Sequence, residues 1–149
     1  MTTLDQSAST IQELINSCRE AQETFRSAAE AAPNSVLRQL FGLYAQQRSR
    51  FAEELAGFTT AQMAKESRRP VTFLPFADET ELLASCLKLE KSALALYRKA
   101  LAERVLPTKA HFLVSAQLAL LERVHNRIEA LRPGAPAAVL TISDERVMV

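Results

Sequence analysis

The sequence predicts an all-α fold: four long helices arranged as two antiparallel hairpins joined by a long crossover. Composition, periodicity and punctuation agree on this. Alanine, leucine, glutamate, glutamine and arginine dominate, with only three glycines and six prolines in 149 residues, a helix-forming mixture. Apolar residues recur at alternating spacings of four and three, the period of a packed helical seam. The stretches that carry this period are divided by two short breaks and one long one. The length suits one domain, large enough to bury a sizeable core.

The first helix is predicted over about 10–32. Thr10-x-x-Glu13 reads as a capping box, and the stripe runs Ile11, Leu14 or Ile15, Cys18, Gln22, Phe25 and Ala29. Pro33-Asn34 ends it, and Asn34 or Ser35 caps a second helix over about 35–58, with Leu37, Phe41, Tyr44, Arg48, Phe51, Leu55 and Phe58 as its stripe. No period is visible over about 59–78, a crossover that contains Arg68-Arg69-Pro70 and the apolar run Val71 to Phe76. Asp78-x-x-Glu81 opens a third helix, about 79–104, striped by Leu83, Cys86, Glu90, Ala93, Tyr97 and Leu101. Leu106-Pro107 breaks the chain, with Pro107 suited to the first turn of a fourth helix, about 107–132. Its stripe is Val114, Gln117, Leu121, Val124, Ile128 and Leu131, and residues 133–149 form a C-terminal tail.

Helices of about 24 residues are roughly 36 Å long. The short links make helices one and two, and three and four, antiparallel neighbours. The crossover can span roughly 60 Å when extended, enough to run the length of the bundle and leave helices two and three parallel. That is the one-crossover topology of ferritin-like folds. Phe73, Leu74 and Phe76 are the expected anchors of the crossover. The halves also echo each other: Glu13-Leu14-Ile15 before Ser17-Cys18 answers Glu81-Leu82-Leu83 before Ser85-Cys86, which suggests an internal duplication.

The sharpest chemical motif is Glu122-x-x-His125, whose side chains stand one turn apart on nearly the same face of helix four. A carboxylate and an imidazole so placed are half of a ferritin-like di-metal site, which takes a glutamate from each of two helices and Glu-x-x-His from the other two. Helix three offers Glu90 on its apolar seam. Helix one offers Gln22 at the corresponding distance from its cysteine, with Glu20 and Glu23 on other faces. Helix two has no histidine; its nearest approaches are Gln47-x-x-Arg50 and Gln46-x-x-Ser49. An amide replaces a bridging carboxylate poorly, and a permanent cation in the seam opposes a metal. Glu90, Glu122 and His125 are therefore the candidate ligands, extended by Glu20 or Glu23. The competing reading satisfies Glu90 by an ion pair with Arg48, Arg50 or His125.

The chain resembles a family of ferritin-like bacterial proteins grouped only as a domain of unknown function. The resemblance rests on Leu14-Ile15-x-x-Cys18, Glu23-x-Phe25-Arg26-x-Ala28-Ala29-Glu30, Gln46-Gln47-Arg48-x-x-Phe51-Ala52-x-Glu54-Leu55, Cys86-x-x-x-Glu90, Tyr97-x-x-Ala100-Leu101 and His125-x-Arg127-Ile128, over roughly residues 10–132. It implies two helical hairpins and no particular activity; the wider superfamily holds carboxylate-bridged di-iron proteins and metal-free members.

Remaining features narrow the function class. Net charge is +1 with acids and bases interspersed, which predicts neither a nucleic-acid nor an anionic-membrane footprint. Met1 to Gln6 lacks a basic or apolar leader, and the apolar stretch from His111 to Leu121 is too short to span a bilayer. Cys18 and Cys86 make no disulfide framework and sit on apolar seams, as expected of buried thiols in a reducing cytoplasm. Tyr44 and Tyr97 read as core residues with hydroxyl partners, and His111 as a first-turn surface residue. No phosphate loop, nucleophile elbow or zinc motif is present. The expectation is a non-catalytic cytoplasmic bundle with a degenerate metal site and no cofactor, in a structural, stress-linked or protein-interaction role, as a homodimer. The alternative is an iron- or manganese-binding carboxylate metalloprotein using Glu90, Glu122 and His125. A further possibility gives the apolar tail segment Val139 to Ile142 a docking role.

Overall fold

A computed structural model describes residues 3–59 and 78–132, with side chains from residue 5 onward. The predicted crossover and C-terminal tail, with their apolar anchors, lie outside the described residues. Within them the chain is four helices: α1 (Thr3–Ala31), α2 (Ser35–Ala56), α3 (Glu79–Ala102) and α4 (Thr108–Ala130). None is long and apolar enough to cross a membrane.

The caps between helices follow from the sequence. Asn34 caps α2 by accepting the Leu37 amide at 2.8 Å, and Asp78 caps α3 by accepting the Glu81 amide at 2.8 Å. α1 starts at Thr3, seven residues before the predicted capping box, so Thr10 and Glu13 lie within the helix. The cause is that the seam extends back another turn: Ser7, one turn before Ile11, is buried, and Asp5 lies in the first turn, where an acid complements the helix dipole. α2 ends at Ala56, so Phe58 falls past the helix and is exposed instead of closing the stripe.

The buried residues divide into two apolar clusters, one at each end. One joins Ala21, Phe25 and Ala28 of α1 to Leu37, Phe41 and Tyr44 of α2, Leu82 to Leu87 of α3, and Val124 and Ile128 of α4. The other joins the start of α1 (Ile11 to Cys18), the end of α2 (Phe51 to Leu55), the end of α3 (Leu94 to Ala100) and the start of α4 (Ala110 to Leu121). Each end thus collects the C-terminal halves of one pair of helices and the N-terminal halves of the other. α1 and α4 run one way, and α2 and α3 the opposite way. α1 packs on α2 and α3, and α4 packs on the same two, which leaves α2 and α3 on a diagonal. Residue 59 and residue 78 consequently stand at opposite ends, as the one-crossover expectation requires.

The seams of α2, α3 and α4 match the predicted stripes closely. On α1 two positions move: Ala21 and Ala28 are buried, whereas the predicted Gln22 and Ala29 are only partly so. The turn between α3 and α4 holds Arg104 at φ 53°, a left-handed conformation that penalises a side chain with a Cβ. Arg104→Gly should therefore raise stability by about 0.5–1 kcal/mol in urea unfolding, since the relief of that strain offsets the extra freedom glycine brings to the unfolded chain.

Candidate functional site

Between the two apolar clusters the interior is polar. Glu90, on the inner face of α3, is completely buried, and so is Arg48 on the inner face of α2. The Arg48 guanidinium donates from Nη2 to Glu90 Oε2 at 2.6 Å, a charge-assisted bond across the diagonal of the bundle. Arg48 also donates from Nε to Gln47 Oε1 at 3.4 Å, and its guanidinium carbon lies 5.5 Å from the centre of the Phe25 ring on α1. Burial alone would push the Arg48 pKa down. The charge and hydrogen bond of Glu90 more than reverse this, so it stands above its ordinary value and the cation is permanent. Glu90 Oε1 and Gln47 Nε2 have no hydrogen-bond partner among the described residues.

A hydrogen-bonded chain runs beside the pair through all four helices. Tyr97 of α3 donates its hydroxyl proton to Gln117 Oε1 of α4 at 2.7 Å. Gln117 Nε2 donates to the Phe51 carbonyl and to Glu54 Oε1 of α2, each at 3.3 Å. Both of those groups are acceptors, which fixes the orientation of the amide. With the tyrosine proton committed to Gln117, the Cys18 thiol of α1 is the donor in its 3.2 Å contact with the Tyr97 oxygen. Burial raises the Cys18 pKa to about 11 against a smaller lowering by the Tyr97 hydrogen bond. Burial and then the Glu90 charge raise Cys86 to about 12, and burial lifts Tyr97 well above its ordinary value. All three groups are neutral at physiological pH, and both cysteines are free thiols.

The structure disperses the predicted ligands. Glu122 and His125 do share a face, as their spacing predicts, and line one surface groove between α3 and α4 with Lys91, Leu94 and Arg98. Glu122 is half exposed and pairs with Arg98 at 3.5 Å. His125 Nδ1 lies 3.3 Å from Asn126 Oδ1, and its Nε2 has no partner among the described residues. The reason is visible on the helix: the seam is Leu121, Val124 and Ile128, and Glu122 and His125 each follow a seam residue, about 100° around. Glu23 pairs with Arg26 at 3.2 Å on the surface, and Glu20 is exposed in a groove between α1 and α3. Gln22 is partly buried and accepts from Arg19 Nη1 at 3.3 Å. Arg50 is exposed with its guanidinium 5.6 Å from the Phe51 ring, so Arg48 is the partner of Glu90. Among the described residues no three His, Cys, Asp or Glu side chains are grouped to hold a metal ion.

Sequence reasoning missed the Cys18–Tyr97–Gln117 chain. Its signal was present, since all three residues stand on predicted stripes and Gln117 is a polar residue amid leucines and valines, but pairing them needs the heights of three helices. No known protein family matches the chain, and no curated protein is similar to it in sequence.

Removing one member of the central pair strands the other charge. Arg48→Met is expected to cost about 3–5 kcal/mol in urea unfolding, and Arg48→Met/Glu90→Leu to recover most of that loss. The thiols add a dependence at high pH. Cys18 has an ordinary value of 9.0 and a folded value of about 11, so the folded chain holds an extra proton between them. That contribution is complete below pH 9.0 and lost as pH rises through about 11. Thermal melts should fall over this window more steeply for the natural chain than for Cys18→Ala.

Proposed function

We propose that this protein is a ferritin-like four-helix bundle whose centre is closed by an ion pair, and that it works as a non-catalytic structural or protein-interaction element. The observation that carries this reading is the 2.6 Å contact between Arg48 and Glu90 on the bundle axis. The helix order and directions support the ferritin-like assignment, and the likeness to bacterial bundles of unknown activity belongs with it. A carboxylate-bridged metal pair needs several anionic oxygen donors converging on one point. The residues at this centre do not fit that requirement: one carboxylate is already bound to a permanent cation, its neighbours are an amide and a phenyl ring, and Glu122 and His125 face an outer groove. The hydroxyl and thiols nearby are neutral, which leaves no activated nucleophile or base among them. The buried free thiols are consistent with a reducing cytoplasm.

Metal content tests the reading. Protein produced in medium supplemented with iron and manganese, then dialysed, should carry far less than one metal per chain by plasma mass spectrometry, with no change in Glu90→Ala or His125→Ala. Near-stoichiometric iron or manganese that disappears in both variants would overturn it and install the metalloprotein alternative.

A further inference from the structure

The groove between α1 and α3 has a volume of about 720 Å³ and lies on the outside of the bundle. Its α3 wall is Ser85, Leu89, Ser92 and Leu96, a second run at spacings of four, three and four, distinct from the inward seam through Cys86, Glu90, Ala93 and Tyr97. Leu89 and Leu96 are only partly buried, and each packs on one of the two core clusters, so the apolar interior reaches the surface here. The small serines beside the leucines let another helix approach closely. A helix with two seams is built to pack on two sides.

Charge says what the second side takes. The α1 wall carries Glu13 and Glu20, and the α3 wall carries Lys88. Among the described residues none of the three has an ion-pair partner within the chain. A twofold axis parallel to the helices preserves height and exchanges left for right. It sets the acidic helix of each copy against the basic helix of the other, with Lys88 facing the partner's Glu20. We propose that this groove is the interface of a homodimer, in which a second copy of the chain packs α1 and α3 on α3 and α1 about such an axis. The interface stands apart from the ion-pair reading above: metal content tests that one, and mass tests this one.

Sedimentation equilibrium on the full chain at tens of micromolar is the experiment, with circular dichroism confirming that each variant keeps its helices. The natural chain is expected to have the mass of a dimer. Lys88→Glu and Glu20→Lys should each weaken association about tenfold or more, through like charges brought face to face. The combined swap Lys88→Glu/Glu20→Lys should restore it, and Leu89→Glu should give monomer. Should Leu89→Glu fail to fold, the exposed pair of charge variants carries the test alone. A monomeric natural chain would overturn the proposal. So would a dimer indifferent to Lys88→Glu yet broken by Phe112→Ser, at the end of the bundle, or a double swap no tighter than either single change.

Discussion

The contact between Arg48 and Glu90 constrains everything around it. Each charge buried alone would cost several kcal/mol, and the two recover that cost only in one geometry, with α2 and α3 at one relative height and rotation. Apolar seams tolerate sliding, since leucine on alanine at one register resembles leucine on alanine a turn away. A guanidinium that must meet a carboxylate at 2.6 Å does not. These helices share the diagonal and bury little surface on each other, so a directional bond is the effective way to set their register. The two apolar clusters at the ends supply the burial free energy, and the central pair selects which of the possible bundles they stabilise.

The hydrogen-bonded chain extends that selection to the other two helices. Gln117 is held by the tyrosine hydroxyl on one side and by α2 on the other, and Cys18 is tied to the same oxygen from α1. Its thiol and phenol are neutral, because burial opposes their ionisation, and its one carboxylate, Glu54, is exposed at the surface end of the chain. The buried charges of the layer are those of Arg48 and Glu90, which cancel. A polar interior of this kind orders the core while its thiols and phenol keep their protons at neutral pH.

Most of the architecture was legible in the sequence, since a seam residue recurs whatever its partner. Leu37 to Leu55, Leu83 to Tyr97 and Val114 to Ile128 were placed from spacing alone and are buried. The start of α1 was not legible, because Thr10-x-x-Glu13 looks the same within a helix as at its end, and the turn before it is seamed by serine, not by a hydrophobe. The site was half legible. Glu90 was singled out because a carboxylate on an apolar stripe demands a partner, and Arg48 stood among its candidate partners for the same reason. Glu122 and His125 drew attention as a motif although each sits one residue off its own seam, a displacement of about 100° that removes them from the interior. A motif reports the angle between two side chains; their angle to the core comes from the stripe beside them.

The two cysteine-bearing helices differ at the position one turn after each cysteine, and the difference sets the charge of the centre. In α3 that position is Glu90, inside the bundle; in α1 it is Gln22, turned toward Arg19, while Ala21 and Phe25 face inward. Phe25 meets Arg48 from α1, with its ring against the guanidinium and packed on Phe41 and Tyr44. A single guanidinium balances a single carboxylate. A second carboxylate buried beside them would leave the sealed centre with net negative charge; Gln22, only partly buried, adds none. With the cation supplied by Arg48 and balanced by Glu90, the Phe25 ring of α1 contacts the guanidinium without adding a charge to the centre.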